Sequence, residues 1–563
     1  MNEPNTAHAT LQFLGAAETV TGSKFLLNLG HRRILVDDGM FQGPRELRKR
    51  NWLPLPVEAT TVTDVLLTHA HMDHVGMLPR LVKRGFRGPI FATEGTVRLA
   101  EIVLRDGAKI QEQDAEEANR RGSSKHQPAL PLYTTEDVEA TLPLFVTVPF
   151  DEDLDLDDGI VARWTRAAHI LGSASITLWT PQASIVFSGD LGRHDHPVLR
   201  PRDTPPGAPY ALIETTYGDR EHPEPELLPH EGFADVVRRT IERGGSVLVP
   251  AFAVDRTEAV LKQIADLRAE GRIPYVPVYV DSPMANAALD VYRSLPDELR
   301  EDLRPDHLLE FPDLHSIRTP AESRELTAKA GKHPSIIVAA SGMATGGRVL
   351  HHLEAMLPDK RNSVVLTGYQ AVGTRGRSLV EGATKLKMWG EYVHVNAEIF
   401  QDREFSVHGD CSDLLDWLRD LSPRPHTVFC VHGEPEAAEA FAERVEKEFP
   451  GMNAVVPQHN ELVVLDEKRE ALQPQPAVAQ PVRRDVPPVV SSQSPFTSDA
   501  RDDLEAIAAA PAPRGYQLLA AATPAELSAQ AAELLTEGYV PFQGPSLGEV
   551  EGAAVYLQAF VLP

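Results

Sequence analysis

The stretch Val65-Leu66-Leu67-Thr68-His69-Ala70-His71-Met72-Asp73-His74-Val75-Gly76-Met77-Leu78 decides how the rest of the chain is read. Its apolar opening, Val65-Leu66-Leu67, has the content of a buried strand, and Val75 to Leu78 begins a helix. If the backbone stays extended past the strand, His69, His71 and Asp73 project to one side, because side chains alternate along such a chain; His74 follows at the turn. Imidazole and carboxylate suit zinc and neighbouring divalent transition metals, and four such groups in six residues exceed what one four-coordinate ion takes from a single loop. Two adjacent ions are therefore expected. The alternative, a solvated His-rich turn, does not require an ordered His-x-His-x-Asp-His behind a buried strand.

Upstream, Leu11-Gln12-Phe13-Leu14, Phe25-Leu26-Leu27 and Ile34-Leu35-Val36 are separated by Gly15, Gly22 and Gly30, and read as an opening β-meander. The third run ends in Asp37-Asp38-Gly39, which puts Asp37 at a strand end, where a carboxylate can orient a metal-binding histidine. Downstream, Met77 to Lys83 reads as a helix, Pro89 to Ala92 as a strand, and Thr96 to Arg121 as a long exposed helix or a pair of helices. Two further strands end in chemistry: Val161-Ala162-Arg163-Trp164 leads to His169, and Ser184-Ile185-Val186-Phe187 leads to Asp190. A third nitrogen for one ion and a bridging carboxylate are what a dinuclear site still lacks.

Composition bounds the reading. At 563 residues the chain exceeds what one hydrophobic core supports, so two or three domains are expected. The start, Met1-Asn2-Glu3-Pro4-Asn5-Thr6, has no secretory pattern, and no run approaches a membrane span, so a cytoplasmic protein with no membrane partner is expected. With Cys411 and Cys430 as the only cysteines, a disulfide framework and a cysteine-built zinc site are excluded. The net charge of −26 argues by itself against a polyanionic partner. Acidic runs such as Asp151 to Asp155 can nevertheless lie away from a cleft lined by Arg375, Arg377, Lys385 and Lys387, and two cations add local positive charge.

From Tyr210 to about Glu398 strands alternate with helices: Ser246 to Pro250, a helix through Val260 and Ile264, Val276 to Val280, Ile336 to Ala339, a helix near Val349 to Met356, then Val364 to Thr367. That order gives a parallel sheet with crossover helices. Asp37, the His69–His74 cluster, His169 in His169-Ile170-Leu171-Gly172-Ser173-Ala174, and Asp190 resemble, in order, the four motifs of the metallo-β-lactamase superfamily. The insertion, opened by Glu214-Thr215-Thr216-Tyr217-Gly218 and carrying Pro250 to Val254, Asp281-Ser282-Pro283-Met284 and Ser341-Gly342-Met343, resembles the β-CASP domain of RNA- and DNA-processing nucleases. The resemblance spans roughly 10–465 and points to a bacterial relative of ribonuclease J and of the nuclease subunit of the cleavage and polyadenylation specificity factor.

The resemblance implies an α/β chain: an αββα metallo-β-lactamase sandwich in two parts, 1–208 and 399–469, with a β-CASP domain, 209–398, inserted between them. A Pro-rich disordered linker, 470–498, then leads to a small α+β module, 499–563, with strands at Tyr516 to Leu519, Tyr539 to Phe542 and Ala554 to Leu557 and a helix at Pro524 to Leu535. That module is expected to serve homo-oligomerisation or partner binding.

In the site so implied, one ion is held by His69, His71 and His169, the other by Asp73, His74 and His432, with Asp190 bridging. Zinc is the expected metal and manganese the alternative. Phe405-Ser406-Val407-His408-Gly409-Asp410 resembles the family motif whose histidine, here His408, is the candidate general acid, with Glu214 as its orienter. The expected reaction is hydrolysis of single-stranded RNA, endo or 5′-to-3′ exo, by in-line attack at phosphorus that leaves a 5′-phosphate. His432 favours RNA, since DNA-processing relatives such as Artemis tend to carry valine there. A DNA nuclease is the nearest rival; an ester or lactam hydrolase and a non-catalytic scaffold fit less, because all seven ligands are present beside a large insertion. Within that insertion Ser341, Gly346, Gly347 and Arg348, between a strand and a helix, are expected to contact phosphate, as are Arg375 and Arg377.

Overall fold

A computed structural model describes residues 8–465 apart from 123, 223–227, 304–310, 331, 369 and 372, and beyond them the strands Val482–Arg483, Tyr516–Ala521, Val540–Val550 and Ala553–Val561. The chain divides into two units, Met1–Asp485 and Val486–Pro563.

Two mixed sheets stand face to face in the first unit. One runs in the order Leu462–Leu465, Ala9–Phe13, Phe25–Asn28, Arg33–Val36, Asp64–Leu66, Ile90–Thr93, Phe145–Val148 and Val482–Arg483. The other runs Asn453–Val455, Thr427–Val431, Tyr210–Glu214, Ser184–Phe187, Ala174–Trp179, Val161–Arg166 and Leu154–Asp155. Alternation along the strands decides the packing: Leu11, Phe13, Leu27, Ile34 and Val36 of the first sheet meet Trp164, Ile176, Leu178, Phe187 and Leu212 of the second in one buried core. Residues of opposite parity, Leu26, Leu35, Val65 and Leu67, face helices on one outside, and Val186, Ala211, Ile213 and Val428 face the helices Cys411–Asp420 and Pro435–Glu448 on the other. Helix, sheet, sheet and helix therefore stack in four layers, as expected.

The insertion carries its own sheet, all parallel, in the order Leu314–Ser316, Val278–Val280, Ile336–Ala339, Val247–Pro250, Ser363–Thr367 and Glu398–Asp402. Both faces are covered, so its strands are continuous apolar runs rather than alternating ones. Two boundaries differ from the sequence reading, and one helix is less exposed than expected. The inserted sheet runs on to Asp402, because Glu398–Asp402 pairs in parallel with Ser363–Thr367. Glu94–Arg121 is one helix of 28 residues rather than a pair, capped by the Thr93 hydroxyl and ended by Gly122 at φ 60°. Its face from Gly95 through Ala108 is buried, so it is exposed along one side only.

Val482–Arg483, inside the segment expected to be disordered, pairs antiparallel with Phe145–Val148. In the second unit, Ala553–Val561 lies between Tyr516–Ala521 and Val540–Val550, antiparallel to both. The last two strands are longer than expected, and the helix expected at Pro524 to Leu535 lies outside the described residues.

The insertion grips the loop after His169. Tyr292 accepts a hydrogen bond from Leu171 N at 3.2 Å, and the Glu298 carboxylate accepts one from Gly172 N at 2.7 Å. Burial raises the Glu298 carboxyl from 4.5 to about 7, against the opposing pull of the Gly172 N–H. A carboxyl raised in the fold contributes fully at low pH, and its contribution falls as pH rises from about 4.5 through about 7. Glu298→Gln removes that dependence. Between pH 5 and 8.5 the wild type is expected to lose up to roughly 3 kcal/mol relative to the variant, read as diverging thermal midpoints; parallel midpoints would contradict the buried acid.

Candidate metal centre

The site lies where strands of both sheets end. Four of these ends turn through a residue of positive φ: Asp37 at 57°, Ala168 at 57°, Gly189 at 59° and His432 at 51°. For side chains larger than glycine that region is costly, so the turns are held by surrounding structure. They bring His69, His71, His169 and Asp190 into one cluster and Asp73, His74 and His432 into another.

In the first cluster His71 Nδ1 lies 3.1 Å from His69 Nε2 and 3.2 Å from His169 Nε2. In the second, His74 Nε2 lies 3.3 Å from His432 Nε2, and His432 Nε2 3.6 Å from Asp73 Oδ2. Asp190 spans both: Oδ2 is 3.6 Å from His69 and His169, while Oδ1 is 3.4 Å from His74 and 3.6 Å from His432.

These spacings fit metal ions. Two nitrogens on one tetrahedral zinc stand about 3.3 Å apart. A ring nitrogen has one lone pair or one hydrogen, so hydrogen bonding does not account for three of them converging. Asp190 Oδ1, buried, accepts no hydrogen bond from the chain. Burial lowers His69 and His169 well below the ordinary histidine value and His71 to about 4, which keeps their lone pairs free to ligate. Burial would raise the Asp190 carboxyl, but the surrounding His432, His74 and His69 hold it well below the usual carboxylate range.

The expected alternation stops at His71. A short helix, Met72–Val75, starts directly after it, so Asp73 turns away from His69 and His71 and faces His432. Asp37 takes the orienting place: its Oδ2 is 2.7 Å from His74 Nδ1, and it accepts from Thr68 N at 2.9 Å and Thr68 Oγ1 at 2.8 Å. The neighbouring Asp38 pairs instead with Lys24 at 2.6 Å. Asp37→Ala is expected to weaken metal binding 10- to 100-fold, measured by competition with a chromophoric chelator; unchanged affinity would remove Asp37 from the site.

Beside the first cluster the His408 ring lies 4.3 Å from that of His169. Its Nδ1 is 3.2 Å from both oxygens of Glu214, which is fully buried and accepts from Leu191 N at 2.7 Å. Burial opposes the charge on His408, but Glu214, by charge and hydrogen bond, raises it above the ordinary histidine value. The segment is fastened by Gly409 N to Leu191 O at 2.7 Å and by His222 Nε2, 2.8 Å from His408 O. Thr68, Thr216, whose Oγ1 is 3.3 Å from His432 Nδ1, and His222 went unpredicted. Thr68 borders the histidine stretch and Thr216 lies in the Glu214 to Gly218 motif, which are usable signals; His222 has none.

The phosphate-contact candidates make their hydrogen bonds and ion pairs with other residues of the insertion. Ser341 Oγ accepts from Thr345 N and Gly346 N and so closes its loop, with Gly347 at φ 79°. Arg348 donates to Asp281 at 2.7 Å and to the carbonyls of Ile317 and Arg318. Arg375 donates to the carbonyls of Lys387, Ala344 and Thr345, and Arg377 pairs with Glu381 at 2.6 Å.

A two-sheet sandwich with His and Asp donors at its strand ends is the architecture of a metal-dependent hydrolase. Comparison with known proteins agrees. Residues 22–220 match the metallo-beta-lactamase superfamily, 257–379 the Beta-Casp domain, and 392–457 the Zn-dependent metallo-hydrolase RNA specificity domain. The chain is 38% identical over 429 residues to Ribonuclease TTHA0252 of Thermus thermophilus, covering 75% of this chain and 92% of that one. It is 32% identical to transcription termination factor FttA of Methanosarcina mazei, covering 77% and 68%, and 29% identical to the RNase J-like protein of Methanocaldococcus jannaschii, covering 77% and 94%. The chain belongs to the β-CASP family of the metallo-β-lactamase superfamily.

Proposed function

We infer that this chain is a metal-dependent ribonuclease that hydrolyses RNA phosphodiesters and leaves 5′-phosphates. The observation that carries the reading is the division of seven donors into two sets sharing Asp190, with the His408–Glu214 pair alongside. His69, His71 and His169 would hold one divalent cation and Asp73, His74 and His432 the other, zinc by donor type and manganese as the alternative. Bound there, the cations supply a water deprotonated near neutral pH and charge to offset that growing on phosphoryl oxygen.

The chain's own groups do the rest. Glu214 holds His408 Nδ1, which leaves Nε2 free to give its proton to the departing 3′-oxygen as the P–O3′ bond breaks. Asp37 fixes the His74 ring through Nδ1, leaving Nε2 to face His432. The domain division read from the sequence is kept as a proposal, with the inserted sheet carried to Asp402. Among the described residues no helix is long and apolar enough to cross a membrane. The cytoplasm is the proposed compartment, in keeping with buried free thiols at Cys411 and Cys430.

The test is a time course on matched 5′-labelled single-stranded RNA and DNA with zinc or manganese added. Faster RNA cleavage yielding 5′-phosphate ends is expected. Equal or faster DNA cleavage would overturn the RNA assignment and move the protein to DNA processing.

A further inference from the structure

The insertion carries a two-stranded hairpin outside its main sheet, Lys385–Met388 against Glu391–His394. Its register pairs Lys385 with His394 and Lys387 with Tyr392, so these four side chains share one face, while Leu386, Met388 and Val393 turn into the apolar cluster beneath. The outward face is solvated: both lysines and His394 are exposed, and Tyr392 is 65% exposed. At the turn, Trp389 is 49% exposed and stacks on the ring of His351, also exposed, at 5.3 Å and 21°.

Two features set this face apart from ordinary surface. Lys385 and Lys387, two positions apart on one strand of a chain of net charge −26, have no carboxylate partner among the described residues and so place two uncompensated cations on one face. Lys387 instead stands over the Tyr392 ring at 5.9 Å. Two large aromatics are also left in water at a position where the hairpin already has an apolar face with which to bury them. Unpaired lysines alternating with exposed rings match a single-stranded nucleic acid, with cations spaced for phosphates and π-faces for bases. An apolar protein partner would leave the lysines to be desolvated without compensation.

The hairpin is held to a neighbouring loop of the insertion. Arg375 donates from Nε to Lys387 O at 3.0 Å and from Nη1 to Thr345 O at 3.0 Å, joining the hairpin to the loop from Ser341 to Arg348.

We propose that the outward face of this hairpin, Lys385, Lys387, Tyr392 and His394 with Trp389 at its turn, is a docking strip for single-stranded RNA outside the catalytic centre. The inference rests on the ribonuclease reading for its choice of RNA.

The test is binding of a labelled unstructured RNA to the full chain under chelation, which leaves the RNA intact, with cleavage measured separately in added metal. Lys385→Ala/Lys387→Ala is expected to weaken binding about tenfold and to reduce the slope of log affinity against log salt by about 1.4, at about 0.7 for each phosphate that a lysine no longer neutralises. Tyr392→Ala is expected to cost on the order of tenfold and Tyr392→Phe, which keeps the ring, little. Hydrolysis of bis(p-nitrophenyl) phosphate, too small to reach the hairpin, is expected to stay at the wild-type rate in all three. Wild-type affinity and salt slope in folded variants would overturn the strip and leave the ribonuclease reading standing. A change in sedimentation with RNA binding unchanged would overturn it in favour of self-association. RNA bound through the hairpin but never cleaved would support the strip and defeat the ribonuclease reading instead.

Discussion

Asp190→Ala is expected to reduce RNA cleavage by about 10⁴-fold or more, the largest loss of any single substitution in this chain. Its carboxylate is the one donor group shared by the two clusters: Oδ2 faces His69 and His169, and Oδ1 faces His74 and His432. Removing it takes an anionic ligand from both sites at once and leaves neighbouring cations with less charge to separate them. Metal analysis should therefore find fewer than two ions per chain in the variant, while the fold persists because the carboxylate faces the donor histidines rather than the apolar core. Asp73→Ala removes a ligand from one site only, so its loss is expected to be smaller than that of Asp190→Ala but still larger than that of His408→Ala. Full metal content with near-normal cleavage in Asp190→Ala would contradict the shared role.

His408→Ala is expected to lower kcat by about 10²- to 10⁴-fold with the metal content unchanged, the range for loss of a positioned general acid. The diagnostic is the leaving group. A 3′-oxygen of an alcohol needs the proton that Glu214 helps to keep on His408, whereas p-nitrophenolate departs without one. The variant should recover most of its relative rate on a p-nitrophenyl phosphodiester, and Glu214→Gln should behave as a weaker version of it. An equal loss on both substrates would make His408 a structural residue of the cleft.

Much of this site can be read in the sequence because several of its groups follow an apolar run and the rest sit in the dense His69–His74 stretch. Burial makes the runs conspicuous, and chemistry at the end of a buried strand is conspicuous in turn: Asp37, His69, His169, Asp190, Glu214 and His432 all follow that pattern. The errors have physical reasons too. Strand periodicity carried through to Asp73 fails because the helix Met72–Val75 begins where His71 leaves extended backbone, and no proline or capping side chain marks the change. Glu398–Asp402 is intermediate in burial along most of its length, so its place at the edge of the inserted sheet has no apolar signature. Arg348 reads as a free cation beside glycines, and only the fold reveals Asp281, 67 positions away, as its partner. Thr216 and His222 act by hydrogen bonds to other site residues, a role residue type alone does not announce.

The most direct test of the central claim is a titration of metal-free protein with zinc, following bound metal and RNA cleavage together. Two tight equivalents per chain, with cleavage rising only as the second fills, is the predicted result. Full cleavage at one equivalent, or cleavage unaffected by metal, would contradict a catalytic centre built from two donor sets joined by Asp190.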